Sequence, residues 1–206
     1  MTARVILATR NRGKVSELAR MLEGTGIVVA SLDDFPDLPE VEETGTTFAE
    51  NALLKARSTA DRTGLAALAD DSGLEVDALG GRPGVYSARF AGPHASDEAN
   101  NEKLVTLLAG TPAPERTARF RSVVAVAAPG GDSFVADGAC EGVILPAPRG
   151  TDGFGYDPLF LVPELGRTFA ELSVDEKNRI SHRGQALRRA LEALPAFLSR
   201  AAARRT

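Results

Sequence analysis

Two adjacent carboxylates follow an apolar run in the first half of the sequence. The run Ala66–Ala69 is typical of a buried strand, and the segment Asp70–Gly73 comes directly after it. Burial makes it costly to ionise Asp70 and Asp71 together, because their charges repel each other and lose solvation. A divalent cation would offset this cost, and one aspartate could orient or deprotonate an attacking water. The alternative is an Asx turn at the end of a strand.

A second acidic pair, Glu42 and Glu43, precedes Thr44 and Gly45 just before a predicted helix. A turn at this point can direct one carboxylate into a cleft. Proteins usually hold Mg²⁺ through carboxylate oxygens from separate segments, completed by substrate phosphate oxygens and water. Alternatively, both acids only favour the positive end of the following helix.

The segment Thr9–Lys14 joins a predicted strand to a predicted helix and has the composition of a polyphosphate site. Backbone N–H groups at a helix N-terminus carry partial positive charge, Thr and Asn add neutral donors, and Arg and Lys add full charges. It is not a Walker A loop, because Ala8 replaces the first glycine and Val15 follows Lys14. The alternative is a solvated helix cap.

Two later segments have the composition of a nucleotide site. In Gly153–Pro158, two glycines flank a Phe, and aromatic rings on such a loop can stack on a planar base. In Lys177–Gly184, three cations and one His precede a predicted helix and could bind phosphate or a base. The alternatives are aromatic residues packed into the core and a solvated helix end.

Helices alternate with strands in the first half of the chain and must position these segments. Thr47 and Glu50 have the spacing of a capping box, which predicts a helix that ends at Gly64. The predicted strands are Val5–Ala8, Ile27–Ala30, Ala66–Ala69, Glu75–Ala78, Arg119–Ala127, Ser133–Cys140 and Leu159–Val162, and further helices are predicted over Lys14–Glu23, from Ser96 to Leu108, after Ser173 and from Arg183. The early strand–helix–strand order and the later hairpin predict an α/β fold with a mixed central sheet flanked by helices. No linker interrupts the 206 residues, so we expect a single domain over 1–206, in two lobes around a cleft.

Composition excludes several classes of protein. The net charge of −4 argues against broad binding to nucleic acid or anionic membranes, so we expect neither partner. Cys140 is the only cysteine, which excludes an intrachain disulfide and is typical of the cytoplasm. We expect it to be a small buried residue rather than a nucleophile. The N-terminal apolar run is too short for a signal peptide, and no segment has the apolar length of a membrane helix.

Six segments, in order along nearly the whole chain, together resemble the inosine triphosphate pyrophosphatase family. They are Leu7–Lys14, Glu42–Ala56, Ala69–Gly73, Pro83–Arg89, Gly153–Pro158 and Ser181–Leu187. Each is weakly informative alone, but the set is far more specific than an analogy of fold.

The resemblance implies a mixed α/β fold of two lobes around an active-site cleft, a homodimer, and Mg²⁺-dependent hydrolysis of ITP, dITP and XTP to the monophosphate and pyrophosphate. It implies that Glu43 and Asp71 bind the metal and that Asp71 is the proton acceptor. Thr9, Arg10, Asn11, Arg12, Gly13, Lys14 and Lys55 would hold the triphosphate, and Ser72, Phe154, Gly155, Tyr156, Asp157, Lys177, His182 and Arg183 would line the nucleotide site. We expect selection at the purine 6-position, where a 6-keto group accepts a hydrogen bond and the 6-amino group of ATP does not. His182 and Arg183 are candidate donors.

Two other hypotheses stay open at this point. One is a Maf-like pyrophosphatase for modified pyrimidine or methylated nucleotides. The other is a nucleotide-binding module without catalytic activity, which would have little need for Glu43 and Asp71 at a metal. Pyrophosphate release from a panel of substrates separates all three.

Overall fold

A seven-stranded sheet organises the part of the chain that the structure, a computed structural model, describes: residues 4–204. The strands are β1 (Arg4–Leu7), β2 (Val28–Ser31), β3 (Ala66–Val76), β4 (Thr117–Ala127), β5 (Ser133–Ile144), β6 (Phe160–Val162) and β7 (Arg167–Thr168), and the helices are α1 (Arg12–Leu22), α2 (Phe48–Thr63), α3 (Asp97–Leu107), α4 (Val174–Ile180) and α5 (His182–Ala203). The strand order in the sheet is β2-β1-β3-β4-β5-β6-β7.

The sheet is mixed, as the sequence predicts. Strand β1 is parallel to both β2 and β3, whereas β6 is antiparallel to both β5 and β7. Strands β4 and β5 are neighbours joined by residues 128–132 only, a connection too short for a parallel crossover, so they form the predicted hairpin. The α/β prediction is therefore confirmed.

Local capping sets the helix starts where the sequence predicts them. The Thr47 side chain accepts from the backbone N–H of Glu50, and the Glu50 carboxylate accepts from the N–H of Thr47, so α2 begins with a complete capping box. Helix α2 ends at Gly64, whose φ of 70° lies in the left-handed region that favours glycine. Ser96 caps α3, and Ser173 forms a second capping box at α4.

The third strand differs from the prediction. Instead of stopping at Ala69, β3 continues as one strand to Val76, so Asp70 and Asp71 lie in its middle rather than at its end. The cause is tertiary, because the neighbouring strand β4 is long enough to pair beside the whole segment. Strand β1, in contrast, pairs with β3 only as far as Leu68, so its carboxyl end comes just before the acidic pair.

The described residues divide into two compact units, which we call unit 1 (4–71, 122–138 and 183–204) and unit 2 (72–121 and 139–182). Unit 1 has a mainly aliphatic core in which Leu7, Leu18 and Leu68 are buried. Unit 2 has an aromatic core built around Phe120, Phe160 and Phe169. Among the described residues, no helix combines the length and apolarity that a membrane crossing requires.

Candidate active site

The first turn of α1 presents backbone donors from the Thr9–Lys14 segment. The Asn11 side chain is the N-cap and accepts from the backbone N–H of Lys14 at 3.0 Å, and the Thr9 hydroxyl accepts from the N–H of Asn11 at 3.2 Å. The first N–H groups of a helix, here those of Arg12 and Gly13, have no partner within the helix itself. This geometry suits an anion such as phosphate.

A carboxylate–lysine cluster (Lys14, Glu43, Lys55, Asp70 and Asp71) lies within unit 1. The Lys55 ammonium, on α2, is 2.6 Å from Glu43 Oε1 and 2.9 Å from Asp71 Oδ1. It also donates to the Asp70 carbonyl oxygen at 2.9 Å. The two acids that the sequence singles out therefore converge on one cation, although they are far apart in the chain.

The turn before α2 holds Glu43 in reach of Lys55. Asn51, fully buried on α2, accepts from the backbone N–H of Gly45 at 2.8 Å through its side-chain oxygen. A Cβ on Gly45 would lie 2.7 Å from that same oxygen, so this position requires glycine. The capping box and the Asn51 hydrogen bond thus fix the segment that carries Glu43.

Electrostatic effects in the cluster shift the pKa values of Glu43 and Asp71 in opposite directions. Burial raises the pKa of Asp71, and the neighbouring Glu43 carboxylate raises it as well, against the lowering effect of Lys55 and Lys14. Burial alone would also raise the pKa of Glu43, but the charge and hydrogen bond of Lys55 outweigh it and lower that pKa. Burial lowers the pKa of Lys55 less than Asp71 and Glu43 raise it. The Lys55 ammonium thus forms ion pairs with both Glu43 and Asp71.

Asp70 is fully buried and holds several elements of unit 1 together. One carboxylate oxygen lies 2.9 Å from the Lys14 ammonium and 3.2 Å from an Arg183 nitrogen, and the other accepts from the Ser122 hydroxyl. Arg183 also forms a short ion pair with Glu17 on α1. Burial alone would raise the pKa of Asp70, but Arg183 and Lys14 hold it well below its ordinary value.

Glu43 and Asp71 present carboxylate oxygens of the kind that bind magnesium, and these oxygens converge on a positive charge, the Lys55 ammonium. Mg²⁺ is commonly bound through one or two carboxylates plus substrate phosphates and water, rather than by a complete protein cage. Residues 4–204 contain no group of three or more His, Cys, Asp or Glu side chains arranged to hold a metal.

Unit 2 contains the glycine-rich segment, which we call the 153–157 loop. Phe154 is half-buried, and its backbone N–H donates to the Asp157 carboxylate at 2.9 Å. Gly153 has a φ of 79°, and a Cβ there would lie 2.1 Å from Asp157 Oδ2, so the loop requires glycine for both reasons. Tyr156 is buried, and its hydroxyl donates to the Ser87 carbonyl oxygen. Phe154 is therefore the more exposed of the two aromatic side chains in this loop.

Lys177 and His182 each contact an aromatic ring of unit 2. The Lys177 ammonium is 2.6 Å from Asp157 Oδ2 and 4.9 Å from the centre of the Phe154 ring. The His182 ring is buried and stacks on Phe120, with 4.7 Å between ring centres. A cation under one aromatic face stabilises the ring in place through its quadrupole.

Some of the predicted site residues make contacts that the sequence did not suggest. The Arg183 guanidinium contacts Glu17 and Asp70 in unit 1, and the preceding His182 is the last residue of unit 2. Arg10 donates to the Leu38 carbonyl oxygen and lies 3.6 Å from Asp33 in the acidic loop. Ser72 begins unit 2 and is half-buried. Cys140 is buried, and burial raises its thiol pKa to about 11, as expected for an unreactive cysteine.

Sequence reasoning missed the residues that support the cluster. Glu17 carries a signal that could have revealed it, since it follows Lys14 by one helical turn and precedes the buried Leu18. Ser122 lies in an apolar strand and gave no comparable signal. Asp97 and Asn101 on α3, which contact the 153–157 loop, appear in the sequence only as part of a polar helix.

The fold and the cluster together define an α/β protein with a site suited to a divalent metal and a phosphate chain. Comparison with known proteins gives the family: residues 5–193 match the model of the Ham1 family. A protein of Desulforamulus reducens named dITP/XTP pyrophosphatase is 59% identical over 191 residues, which are 93% of this chain and 95% of the relative. One of the same name from Geobacter sulfurreducens is 59% identical over 184 residues, 89% of this chain and 92% of the relative.

Solved structures agree with this result. A HAM1 protein from Coxiella burnetii has 43% identity and a TM-score of 0.85, covering 94% of this chain and 99% of the other. The nucleoside-triphosphatase, dITP/XTP pyrophosphatase, from Mycobacterium abscessus has 47% identity and a TM-score of 0.73, covering 93% and 98%. The chain belongs to the Ham1 family, and the resemblance found in the sequence is confirmed.

Proposed function

We propose that this chain is a nucleoside-triphosphate pyrophosphatase that hydrolyses ITP, dITP and XTP to the monophosphate and pyrophosphate. The names of its relatives support the substrate class. The observation that carries the proposal in this chain is the convergence of Glu43 and Asp71 on one cation, with Lys14 of the first α1 turn bound to the adjacent Asp70.

In this proposal Glu43 and Asp71 hold Mg²⁺, which when bound neutralises charge on the phosphates and on the leaving pyrophosphate. The backbone N–H groups of Arg12 and Gly13, the Asn11 amide, Lys14 and Lys55 bind the phosphate oxygens, and Thr9 orients the turn. The chain itself supplies mainly placement and electrostatic stabilisation.

Asp71 accepts a proton from the attacking water. The water oxygen bonds to the α-phosphorus, the bond from that phosphorus to the α–β bridging oxygen breaks, and pyrophosphate leaves. Asp70 takes no proton in this scheme, because its carboxylate already binds Lys14, Arg183 and Ser122. Asp70 therefore positions Lys14 and the strand that carries Asp71.

The nucleoside part belongs to unit 2 in this proposal. Phe154 stacks on the base, and Gly155, Asp157, Lys177, His182 and Ser72 complete the surroundings. Tyr156 acts through its backbone, since its ring is buried and its hydroxyl is bonded to Ser87. His182 and Arg183 are the candidate donors to the 6-keto group, and the Arg183 guanidinium also contacts Glu17 and Asp70.

We also propose a cellular compartment and an oligomeric state. The lone cysteine, which excludes an intrachain disulfide, supports the cytoplasm, and the family resemblance supports a homodimer. Light scattering coupled to size-exclusion chromatography tests the dimer through its mass.

A substrate panel tests the proposed activity. Pyrophosphate release is measured from ITP, dITP, XTP, ATP, GTP, UTP and 5-methyl-UTP at fixed Mg²⁺, and again after chelation with EDTA. We expect hydrolysis of ITP, dITP and XTP, rejection of ATP by up to about 10⁴-fold, and loss of activity in EDTA that Mg²⁺ restores. Preference for UTP or 5-methyl-UTP would support a Maf-like enzyme, and ITP binding without pyrophosphate release would support a binding module. Either result would overturn the proposal.

A further inference from the structure

Two side chains of helix α3 form hydrogen bonds with the backbone of a single residue in the 153–157 loop, one with its N–H and one with its carbonyl oxygen. The N–H of Gly155 donates to Asp97 Oδ2 at 2.6 Å, and the carbonyl oxygen of Gly155 accepts from the Asn101 side-chain amide at 3.0 Å. Asp97 and Asn101 are four residues apart in α3, so they lie on the same face of the helix. Residues one helical turn apart therefore hold both the N–H and the carbonyl group of Gly155.

The gripped residue adjoins the ring assigned to the base. Gly155 follows Phe154 directly. Its φ of 60° lies in the left-handed region, which glycine adopts readily, but a glycine can also adopt many other conformations. On the other side, the Asp157 carboxylate accepts from the N–H of Phe154. The backbone around Phe154 is thus held at two consecutive residues, from α3 and from within the loop.

We propose that Asp97 and Asn101 are positioning residues that hold Phe154 in place as the stacking platform for the purine base. This inference rests on the proposed function, because it takes the base to bind at Phe154. Ordering a flexible loop when a ligand binds costs conformational entropy, and a loop that is already held avoids that cost. The grip therefore raises the affinity for the nucleoside and leaves the chemical step to unit 1.

The two contacts differ in strength in a way that variants can resolve. A carboxylate that accepts from a backbone N–H forms a charge-assisted hydrogen bond, stronger than one between neutral groups. Asp97→Asn keeps an acceptor and removes the charge, whereas Asp97→Ala removes both. The loss of affinity should therefore be larger for Asp97→Ala than for Asp97→Asn.

Glu98 offers a matched control. It is the other acid in the first turn of α3, it is exposed like Asp97, and it interacts with Ser96, not with the loop. Glu98→Ala removes a similar charge from the same helix end, so it reports any effect of the helix start alone. Asn101→Ala leaves the helix start intact and tests the second contact separately.

The absence of tryptophan from the chain supplies a direct reporter. Phe154→Trp creates a single-tryptophan protein, whose fluorescence is titrated with inosine monophosphate. In this background we expect Asp97→Ala to raise the dissociation constant on the order of tenfold, Asn101→Ala and Asp97→Asn to raise it less, and Glu98→Ala to leave it unchanged. In the Phe154 enzyme, Asp97→Ala should raise KM for ITP while kcat stays nearly constant.

Two results would overturn the inference. The first is a loss caused by Asp97→Ala that Glu98→Ala reproduces, or that appears in kcat with no change in KM. The second is a tryptophan signal that does not respond to inosine monophosphate while the wild type still hydrolyses ITP, which would leave the proposed function standing. A wild type that releases no pyrophosphate from ITP would instead contradict the function itself.

Discussion

The carboxylate–lysine cluster of unit 1 and the 153–157 loop of unit 2 are held in place by different combinations of ion pairs and hydrogen bonds. Buried ion pairs assemble the cluster, with Asp70 bonded to Lys14 and Arg183. Hydrogen bonds from backbone N–H groups to the Asp97 and Asp157 carboxylates hold the loop, together with one buried ion pair between Lys177 and Asp157. In the proposed function, the first arrangement places charges at the phosphates and the metal, and the second places the Phe154 ring at the base.

The proposed function therefore predicts that turnover and nucleoside affinity depend on different residues of this chain. Charge in a poorly hydrated site acts strongly on a reaction that moves charge, so changes in the cluster should act mainly on kcat. A stacked ring interacts with the base equally before and during the reaction, so changes in the loop should act mainly on KM.

The largest effect is expected for Asp71→Asn in unit 1. Because the amide cannot accept the proton from water and is a poorer metal ligand, kcat for ITP should fall by about 10³-fold. Pyrophosphate release measures the loss, and circular dichroism checks the fold. Asp137→Asn is the control, since Asp137 is an exposed unit 1 acid 3.8 Å from Arg189. Near-normal turnover in Asp71→Asn would show that Asp71 is neither the base nor a metal ligand.

The next effect concerns the stability of the cluster. Asp70→Ala leaves the buried Arg183 and the partly buried Lys14 without a carboxylate partner, so the free energy of unfolding should fall by about 3 kcal/mol or more. Urea denaturation measures it. Asp77→Ala, which breaks the more exposed pair with Arg119 in unit 2, should cost less than about 1 kcal/mol. Equal costs would contradict the buried network as the support of the cluster.

Local sequence predicted those parts of the fold that short-range interactions determine. Thr47 with Glu50 and Ser173 with Glu176 gave the starts of α2 and α4, because a capping box needs only residues three positions apart. The continuity of β3 through Asp70 and Gly73 could not be predicted in this way. Those residues have turn-like local preferences, and only a long neighbouring strand overrides them.

In the candidate site, too, local sequence could not predict the contacts between distant residues. Glu43, Asp71 and Lys14 could be proposed from residue type and from the family resemblance. The family resemblance placed Arg183 at the nucleotide, but its contact with Asp70, which joins residues 113 positions apart, could not be predicted. The grip on Gly155 from Asp97 spans 58 positions. No local pattern encodes such pairs, since they depend on how the chain folds back on itself.

A smaller effect is expected in unit 2. Phe154→Ala removes the stacking platform, which should raise KM for ITP by about 10-fold and change kcat little, given about 1–3 kcal/mol per stacked base. Steady-state kinetics measure both constants. Tyr86→Ala removes an exposed aromatic ring of the same unit and should leave both constants unchanged. A fall in kcat with constant KM would place Phe154 at the chemical step and break the contrast.

The smallest effect is expected for the pH dependence of thermal stability, through an ion pair at the surface of unit 2. Hydrogen bonds from Arg149 lower the pKa of Glu171 from 4.5 to about 2. A carboxyl group with a lowered pKa in the folded state stabilises the protein fully above its unfolded pKa, and this contribution disappears as the pH falls through the folded value. The Tm deficit of Glu171→Gln should therefore shrink as the pH falls from 7 towards 2, and 1 M NaCl should reduce it at pH 7. A deficit that is constant across this pH range would contradict the ion pair as its cause.

Inhibition by inorganic tripolyphosphate tests the separation of the two units most directly, because this anion has the phosphate chain of the substrate and no base. Its inhibition constant against ITP hydrolysis is measured at fixed Mg²⁺ for the wild type, Lys14→Met and Phe154→Ala. We predict that Phe154→Ala stays within about twofold of the wild type and that Lys14→Met weakens inhibition on the order of tenfold. Weaker inhibition in Phe154→Ala with no change in Lys14→Met would contradict the assignment of the phosphates to unit 1 and of the base to unit 2.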